Sequence, residues 1–298
     1  MSQNGSQRVQ VLAPGRVNLI GDHTDYTGGL VFPMAIDRWT EITGVVSDRI
    51  RLRSDVETEP VDLAPDAGGE IDSLPAWGRF VAAVAAEVDG AVGIDGEVTT
   101  TIPVGAGLSS SAALEIAVAL AVGFDGTPRA GPVGPARRAS SDQVPSGIMD
   151  QLCIAAATKG HATMIDCHTC DVTQVPVPDE SRSPCDSSPT GRWRAPATQI
   201  GSTSARAEEL VGPLRLASLD GVAAIGDPTI ERRARHVVTE NQRVRDFAVA
   251  LANGDYAVAG ALMARVTGAC ATTMPSRPRR WMPPSMSCSP IPTSSVLG

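Results

Sequence analysis

The chain has 298 residues, with 25 Lys and Arg against 33 Asp and Glu, a formal net charge of −8 and a pI near 5.0. That balance excludes a protein built around a basic nucleic-acid face, and no apolar run approaches the ~18 residues of a membrane span, the best being Ile116 to Phe124. The length admits two domains at ~100–200 residues each, and the polar Met1 to Arg8 segment lacks the apolar core of a secretory signal, so a cytoplasmic chain is expected.

Along the chain, Arg8 to Ala13, Leu30 to Ile36, Thr40 to Val46 and Arg49 to Arg53 read as short strands from their β-branched content and partial alternation. Trp77 to Val88 reads as a helix, with apolar residues at 77, 80, 81, 84, 85 and 88. Glu97 to Ile102 predicts a strand that runs through a Gly-rich turn into the Ala-rich helix Ser110 to Val122. Leu152 to Ala157 predicts a short apolar helix, and Thr229 to Asn253 a long one, started by Asp227-Pro228 and stopped by Asn253-Gly254. No internal repeat is found.

Three stretches break this texture. Arg129 to Gln143, Ser181 to Ser204 and Arg265 to Gly298 lose periodicity and fill with Pro, Ser, Arg and Thr; the last holds six prolines and no acidic residue. The six cysteines are scattered, and Cys167-His168-Thr169-Cys170 is a single C-x-x-C without a second pair, so no four-ligand zinc site is written locally and reduced thiols are expected. Lys159 is the only lysine among 25 basic residues, the mark of a gene rich in G and C.

Chemistry concentrates in three segments. The first runs from Ala13 to Tyr26 (APGRVNLIGDHTDY) between two apolar strands. Arg16 offers a fixed cation with bidentate donors, suited to phosphate or carboxylate. Asp22, His23 and Asp25 can donate and accept in a cluster, as a polyhydroxylated ligand requires, although a solvated loop would carry the same residues. The second, Ile102 to Glu115 (IPVGAGLSSSAALE), passes from a strand through Gly105 and Gly107 into a helix start. Glycines let backbone approach a ligand and the helix start presents free N–H groups to an anion, while a serine-capped helix after a glycine turn is the plainer reading. It is neither a Walker A loop nor a dinucleotide fingerprint. The third, Val144 to Gln151 (VPSGIMDQ), sets Asp150 among apolar residues, where a carboxylate can act as a base if a cation keeps it ionised; alternatively the helix dipole favours it there.

In this order and spacing, the three segments resemble the GHMP kinases and, within them, the galactokinase branch. The resemblance rests on Gly15 to Tyr26, Gly105 to Ser111 and Gly147 to Gln151, with less specific similarity through Gly160 to Pro178 and Ala205 to Met263. It implies an α+β, two-domain GHMP-kinase fold with the active site between a domain of residues 1–180 and one of residues 181–298. It also implies transfer of the ATP γ-phosphate to the C1 hydroxyl of galactose, with ATP and Mg²⁺ bound and no nucleic-acid or membrane partner. By that likeness Asp150 is the base and Arg16 stabilises its carboxylate and the transition state. Asp22, His23, Thr24, Asp25 and Gly147 hold the sugar. Gly105, Ala106, Gly107, Leu108, Ser109, Ser110 and Ser111 wrap the nucleotide phosphates, with Ser111 reaching Mg²⁺. Another sugar of the family, N-acetylgalactosamine or arabinose, and a non-catalytic sugar- or nucleotide-binding remnant are the alternatives.

The chain also departs from the family pattern. Asp22 stands where the family has Glu. The family's second Mg²⁺ ligand, a Glu in an Arg-Ala-Glu motif, has no counterpart in Arg137-Arg138-Ala139-Ser140. A sugar-contacting Tyr falls in the aberrant Ser181 to Ser204 stretch, and a third, glycine-rich motif is not found. Back-translation of the three aberrant stretches with G/C-rich codons, read one base over, gives family-like peptides that restore the Arg-Ala-Glu and the Tyr. The expectation is therefore a chain frameshifted in these three stretches, with residues 1–180 mostly intact and residues 181–298 damaged and incomplete.

Overall fold

The computed structural model describes residues 7–66, 71–103, 105–123, 147–177 and 197–273. Its strands are β1 (Arg8–Ile20), β2 (Leu30–Ser47), β3 (Ile50–Ser54), β4 (Val61–Leu63), β5 (Gly93–Thr100), β6 (His161–Asp166) and β7 (Asp171–Pro176). Its helices are α1 (Ala76–Ala85), α2 (Ser110–Ala121), α3 (Met149–Ala155), α4 (Ala197–Val211), α5 (Leu219–Ala223), α6 (Pro228–Ala252) and α7 (Tyr256–Thr273). The strands form one sheet in the order β4-β3-β5-β2-β6-β7, with β1 paired to β2; β3 and β5 run parallel and the other pairs antiparallel. This is the α+β class the sequence predicts.

β2 organises the sheet. The two strands expected at 30–36 and 40–46 are one long strand, whose Thr40–Ser47 half pairs with β5 while Leu30 and Val31 pair with β6. Both the first helix and the fifth strand end earlier than the sequence suggests, at Ala85 and Thr100. With so few aromatic residues the core is aliphatic. Ile42, Ile50, Leu52 and Ile94 of the sheet pack against Val81 and Ala82 of α1 and Ala113, Ile116 and Ala117 of α2. Farther along the sheet, Ile20, Phe32, Ala162 and Val175 pack against Val244 and Phe247 of α6, and the Phe32 and Phe247 rings meet edge-on at 5.1 Å. A smaller cluster of Val31, Ile148, Leu152, Cys153 and Ile165 seats α3.

The start signal read for α6 operates as expected. Asp227 accepts from the backbone N–H groups of Thr229 (2.7 Å) and Ile230 (3.1 Å), Pro228 opens the helix, and Gly254 beyond Asn253 takes a positive φ. Two expectations need correction. Residues 197–204, grouped with the aperiodic stretch, form the first half of α4, with Ser204 and Ala207 buried one turn apart. Residues 265–273 likewise continue α7. Ser, Thr, Gly and β-branched residues dominate both segments, so local propensity does not mark them as helix. Arg129 to Gln143, with Arg137 to Ser140 inside it, lies outside the described residues, as do residues 181–196 and 274–298. No helix among the described residues is long and apolar enough to cross a membrane.

Candidate active site

The three motif segments converge although Arg16 and Asp150 lie 134 positions apart. The convergence starts in the backbone. β1 breaks register between Pro14 and Arg16, and the Arg16 N–H donates to the Leu108 carbonyl at 3.1 Å. A Cβ on Gly15 would lie only 2.8 Å from that same carbonyl, so only glycine lets strand and loop touch here. Arg16 then reaches across. Its Nε donates to Asp150 Oδ1 at 2.6 Å, a second guanidinium nitrogen pairs with the same oxygen, and Nη1 donates to the Gly107 carbonyl at 2.9 Å.

Asp150 sits in the first turn of α3, where the helix dipole favours a carboxylate. Its other oxygen, Oδ2, accepts from the Ser109 hydroxyl at 2.5 Å. Ser109 is the residue before α2 and holds a left-handed backbone (φ 59°, ψ 45°), an uncommon and costly state for a side chain of this kind. Its hydroxyl serves Asp150, so no side chain caps α2 among the described residues. The first N–H groups of α2 are therefore left for an external acceptor.

Gly105 and Gly107 hold positive φ (79° and 76°), and a Cβ on either would meet nothing within 4 Å, so this wall of the loop is open. Open backbone donors at a helix start fit phosphate oxygens. Ala106 and Ser110 are half-buried and Ser111 is exposed, whereas Leu108 is buried in the core and can offer only its backbone. No cluster of three or more His, Cys, Asp or Glu suited to a metal occurs among the described residues. Mg²⁺ commonly takes only one or two protein oxygens and the rest from phosphates and water, so the Ser111 hydroxyl fits as one such donor.

On the other side of Asp150, Asp25 lies in a short 3-10 turn directly against the Gly147 backbone, where any side chain at 147 would overlap its carboxylate. Burial and then the Asp150 carboxylate push the Asp25 pKa up to about 6. His23 holds a positive φ (66°) and its Nδ1 lies 2.9 Å from the Tyr26 hydroxyl; Asn18 donates to Asp22 at 2.9 Å. Thr24 is fully buried, with its hydroxyl on the Gly21 and Leu30 carbonyls (2.8 and 2.6 Å), so it braces the loop from within.

Two features escape the sequence reading. Ser109 belongs to Asp150 more than to an anion, a consequence of a backbone angle that composition does not reveal. Glu115 in α2 is buried at 2% exposure and accepts from Gln151 Nε2 at 3.0 Å, directly behind Asp150. Desolvation raises its pKa to about 7, the Gln151 bond opposing and the Asp150 charge adding to the shift. A lone acid in the apolar run Ala112 to Leu120 was the available signal. Cys153, on the buried face of α3, is an inert thiol, pushed up to about 12 by burial.

An Arg16 guanidinium that closes on one oxygen of Asp150, a donor-rich helix start and a cluster of carboxylate and imidazole groups beside them fit a phosphotransferase of the GHMP kinase class. Residues 77–158 match the GHMP kinases N terminal domain, and residues 2–44 match the galactokinase galactose-binding signature. The chain is 36% identical to galactokinase of Mycobacterium bovis (strain BCG / Pasteur 1173P2), over 84% of this chain and 74% of that one, and 34% identical to human galactokinase, over 85% and 70%. It superposes on the crystal structure of Lactococcus lactis galactokinase complexed with galactose with a TM-score of 0.76 and 25% identity, covering 90% of this chain and 76% of that one. Mevalonate kinase of Methanococcus jannaschii shares the fold at a TM-score of 0.58 and 14% identity. The chain belongs to the galactokinase family, and thus to the ATP-dependent sugar kinases.

Proposed function

We propose that the chain transfers the γ-phosphate of ATP to the C1 hydroxyl of galactose, in the cytoplasm, with residues 1–180 and 181–298 as two domains around the site. The observation that carries this reading is the meeting of Arg16, Ser109 and Asp150 within hydrogen-bond distance. Phosphoryl transfer asks mainly for positioning and charge neutralisation, and these residues supply both. Asp150 takes the hydroxyl proton as the new O–P bond forms and the bond to the β-phosphate breaks. Arg16 holds the Asp150 carboxylate in place through two guanidinium nitrogens, and places positive charge beside the transferring group. Asp22, His23, Asp25 and Gly147 hold the sugar. The Gly105 to Ser111 loop and the start of α2 hold the nucleotide phosphates, with Ser111 as a Mg²⁺ donor. Mg²⁺, when bound, neutralises charge on those phosphates.

A second reading, a sugar- and nucleotide-binding chain of low turnover, draws support from Arg137-Arg138-Ala139-Ser140, which offers no carboxylate where the family pattern has one. Isothermal titration with galactose and with ATP–Mg²⁺, beside an assay of galactose-dependent ADP release, separates the two. Binding with turnover supports the kinase, binding without turnover the second reading, and no galactose binding overturns both. A frame-corrected chain carrying the restored Arg-Ala-Glu is expected to turn over faster and melt higher than the present one.

A further inference from the structure

The loop from Gly21 to Leu30 carries Asp22, His23 and Asp25, yet several backbone groups at its two ends have no partner within it. They are held by one stripe of α6, more than 200 residues away in sequence. The buried Glu240 accepts the Gly21 N–H at 2.8 Å. His236, also buried, has its Nε2 2.9 Å from the Asp22 carbonyl; facing an acceptor, that nitrogen carries the proton. Asn241 Oδ1 accepts the Leu30 N–H at 2.7 Å, while its Nδ2 donates to the Val237 carbonyl at 3.0 Å and so fixes the amide's orientation. Arg243 Nε donates to the second oxygen of Glu240 at 2.7 Å, pinning that carboxylate in turn.

Positions 236, 240, 241 and 244 fall on one side of a helix of 3.6 residues per turn. The loop is shaped to receive them. A Cβ on Gly29 would lie 2.6 Å from Asn241 Oδ1, and one on Gly21 would lie 3.2 Å from Val244 Cγ2 and 2.7 Å from the Val31 backbone. Glycine at both loop ends is what lets α6 come this close. Within the loop, the Thr24 hydroxyl meets the Gly21 and Leu30 carbonyls, so the turn is fastened from inside by Thr24 and from outside by α6. The rings of His23 and His236 also meet edge-on at 6.3 Å.

We propose that His236, Glu240 and Asn241 are positioning residues of the sugar site, a clamp from α6 that fixes the Gly21–Leu30 loop in the form that presents Asp22, His23 and Asp25. The inference rests on the reading of that loop as the galactose-binding segment. A buried N–H or carbonyl left unpaired is costly, so loss of one clamp bond releases the loop end it holds. Among the described residues no hydrogen bond joins the phosphate loop or α2 to α6, so nucleotide binding is expected to be spared.

The test uses the full chain with Glu240→Ala, the milder Asn241→Ser, which withdraws the acceptor from the Leu30 N–H, and Glu240→Gln, which keeps an acceptor for the Gly21 N–H. Galactose and ATP–Mg²⁺ affinities are measured by titration, and amide hydrogen exchange is followed over residues 21–30. Glu240→Ala and Asn241→Ser are expected to weaken galactose at least tenfold, to leave ATP–Mg²⁺ within twofold, and to accelerate exchange in the loop selectively. Glu240→Gln is expected to stay within threefold of the parent for galactose. Equal weakening of both ligands, or unchanged galactose affinity with a loosened loop, overturns the proposal. If the parent chain binds no galactose, the substrate reading fails separately. Exchange then decides the clamp: selective loss in the loop upholds it and unchanged protection in both Glu240→Ala and Asn241→Ser overturns it. Should Glu240→Ala not fold, Asn241→Ser and Glu240→Gln carry the same comparison.

Discussion

In the half of the molecule built on the sheet, charged groups that are buried or half-buried face one another. Asp150 lies near enough to Asp25 and Glu115 that it raises both, and Arg16 pulls Asp25 the other way. In the helical layer of residues 197–273, buried polar groups face backbone: Glu240 meets Gly21, Asn241 meets Leu30 and His236 meets Asp22. The first arrangement concentrates an electrostatic field at one carboxylate, as chemistry requires. The second fixes where a loop lies and leaves the charge to others. The helical layer is also less finished. Leu216 is 77% exposed, and the buried Ser204 hydroxyl has no partner among the described residues.

If the sheet half holds the chemistry, the largest effect belongs to Asp150. Asp150→Ala is expected to cut galactose-dependent ADP release roughly a thousandfold, the scale of a lost general base, while ATP–Mg²⁺ affinity stays within about threefold. Loss of nucleotide affinity matching the loss of rate would place Asp150 on the phosphates and break the comparison. Arg16→Lys is the next step down. Lysine keeps the charge but cannot reach Asp150 and the Gly107 carbonyl with one planar fork, so a loss on the order of a hundredfold is expected. A near-parental rate would reduce Arg16 to a distant charge.

The field itself is sharpened through Glu115. Its pKa in the fold, about 7, lies above the ordinary 4.5, so the folded chain holds this proton more tightly than the unfolded one. The resulting penalty is absent below about pH 4.5, grows as pH rises, and is complete above about 7. Glu115→Gln keeps an acceptor for Gln151 and removes the titration. The loss of stability between pH 5 and pH 8 should then shrink by on the order of 3 kcal/mol or less. Asp25 keeps its own smaller slope up to about pH 6, so the variant's profile flattens without becoming level. Denaturant melts at the two pH values decide it, and an unchanged slope would show that Glu115 does not titrate there.

The sequence shows more of the site than of its supports. Arg16, Asp150 and the glycines at 105 and 107 stand out because catalysis and anion binding restrict residue type at fixed spacing. That Arg16 meets Asp150 was available only from the family resemblance, since nothing local links strand β1 to helix α3. The bond from the Ser109 hydroxyl to Asp150 has no sign in the sequence, because a left-handed backbone has no compositional mark. His236, Glu240 and Asn241 sit in a helix that was correctly delimited, but a polar stripe looks the same whether it faces water or a loop. Residues 197–204 read as part of their irregular neighbours because Ser, Thr and Gly fill them and Ile200 is the one large apolar residue, too little to make a visible period.

The smallest effect tests the helical layer on its own terms. Ser204 lies on the same face of α4 as Ala207, both buried, and its Oγ has no hydrogen-bond partner among the described residues. The neighbouring Thr203 hydroxyl accepts from Arg233 and so does not serve Ser204. A buried, unsatisfied hydroxyl costs about 1–3 kcal/mol, and alanine is also the better helix former by a few tenths. Ser204→Ala removes the hydroxyl and only one heavy atom of volume, leaving a void smaller than a water molecule. It is expected to raise the melting temperature by about 2–4 °C per kcal/mol recovered, without altering galactose or ATP–Mg²⁺ affinity. A fall in melting temperature would mean the hydroxyl is satisfied after all. Altered ligand binding would mean that the packing of α4 on α6 reaches the sugar loop, joining the two regions the comparison holds apart.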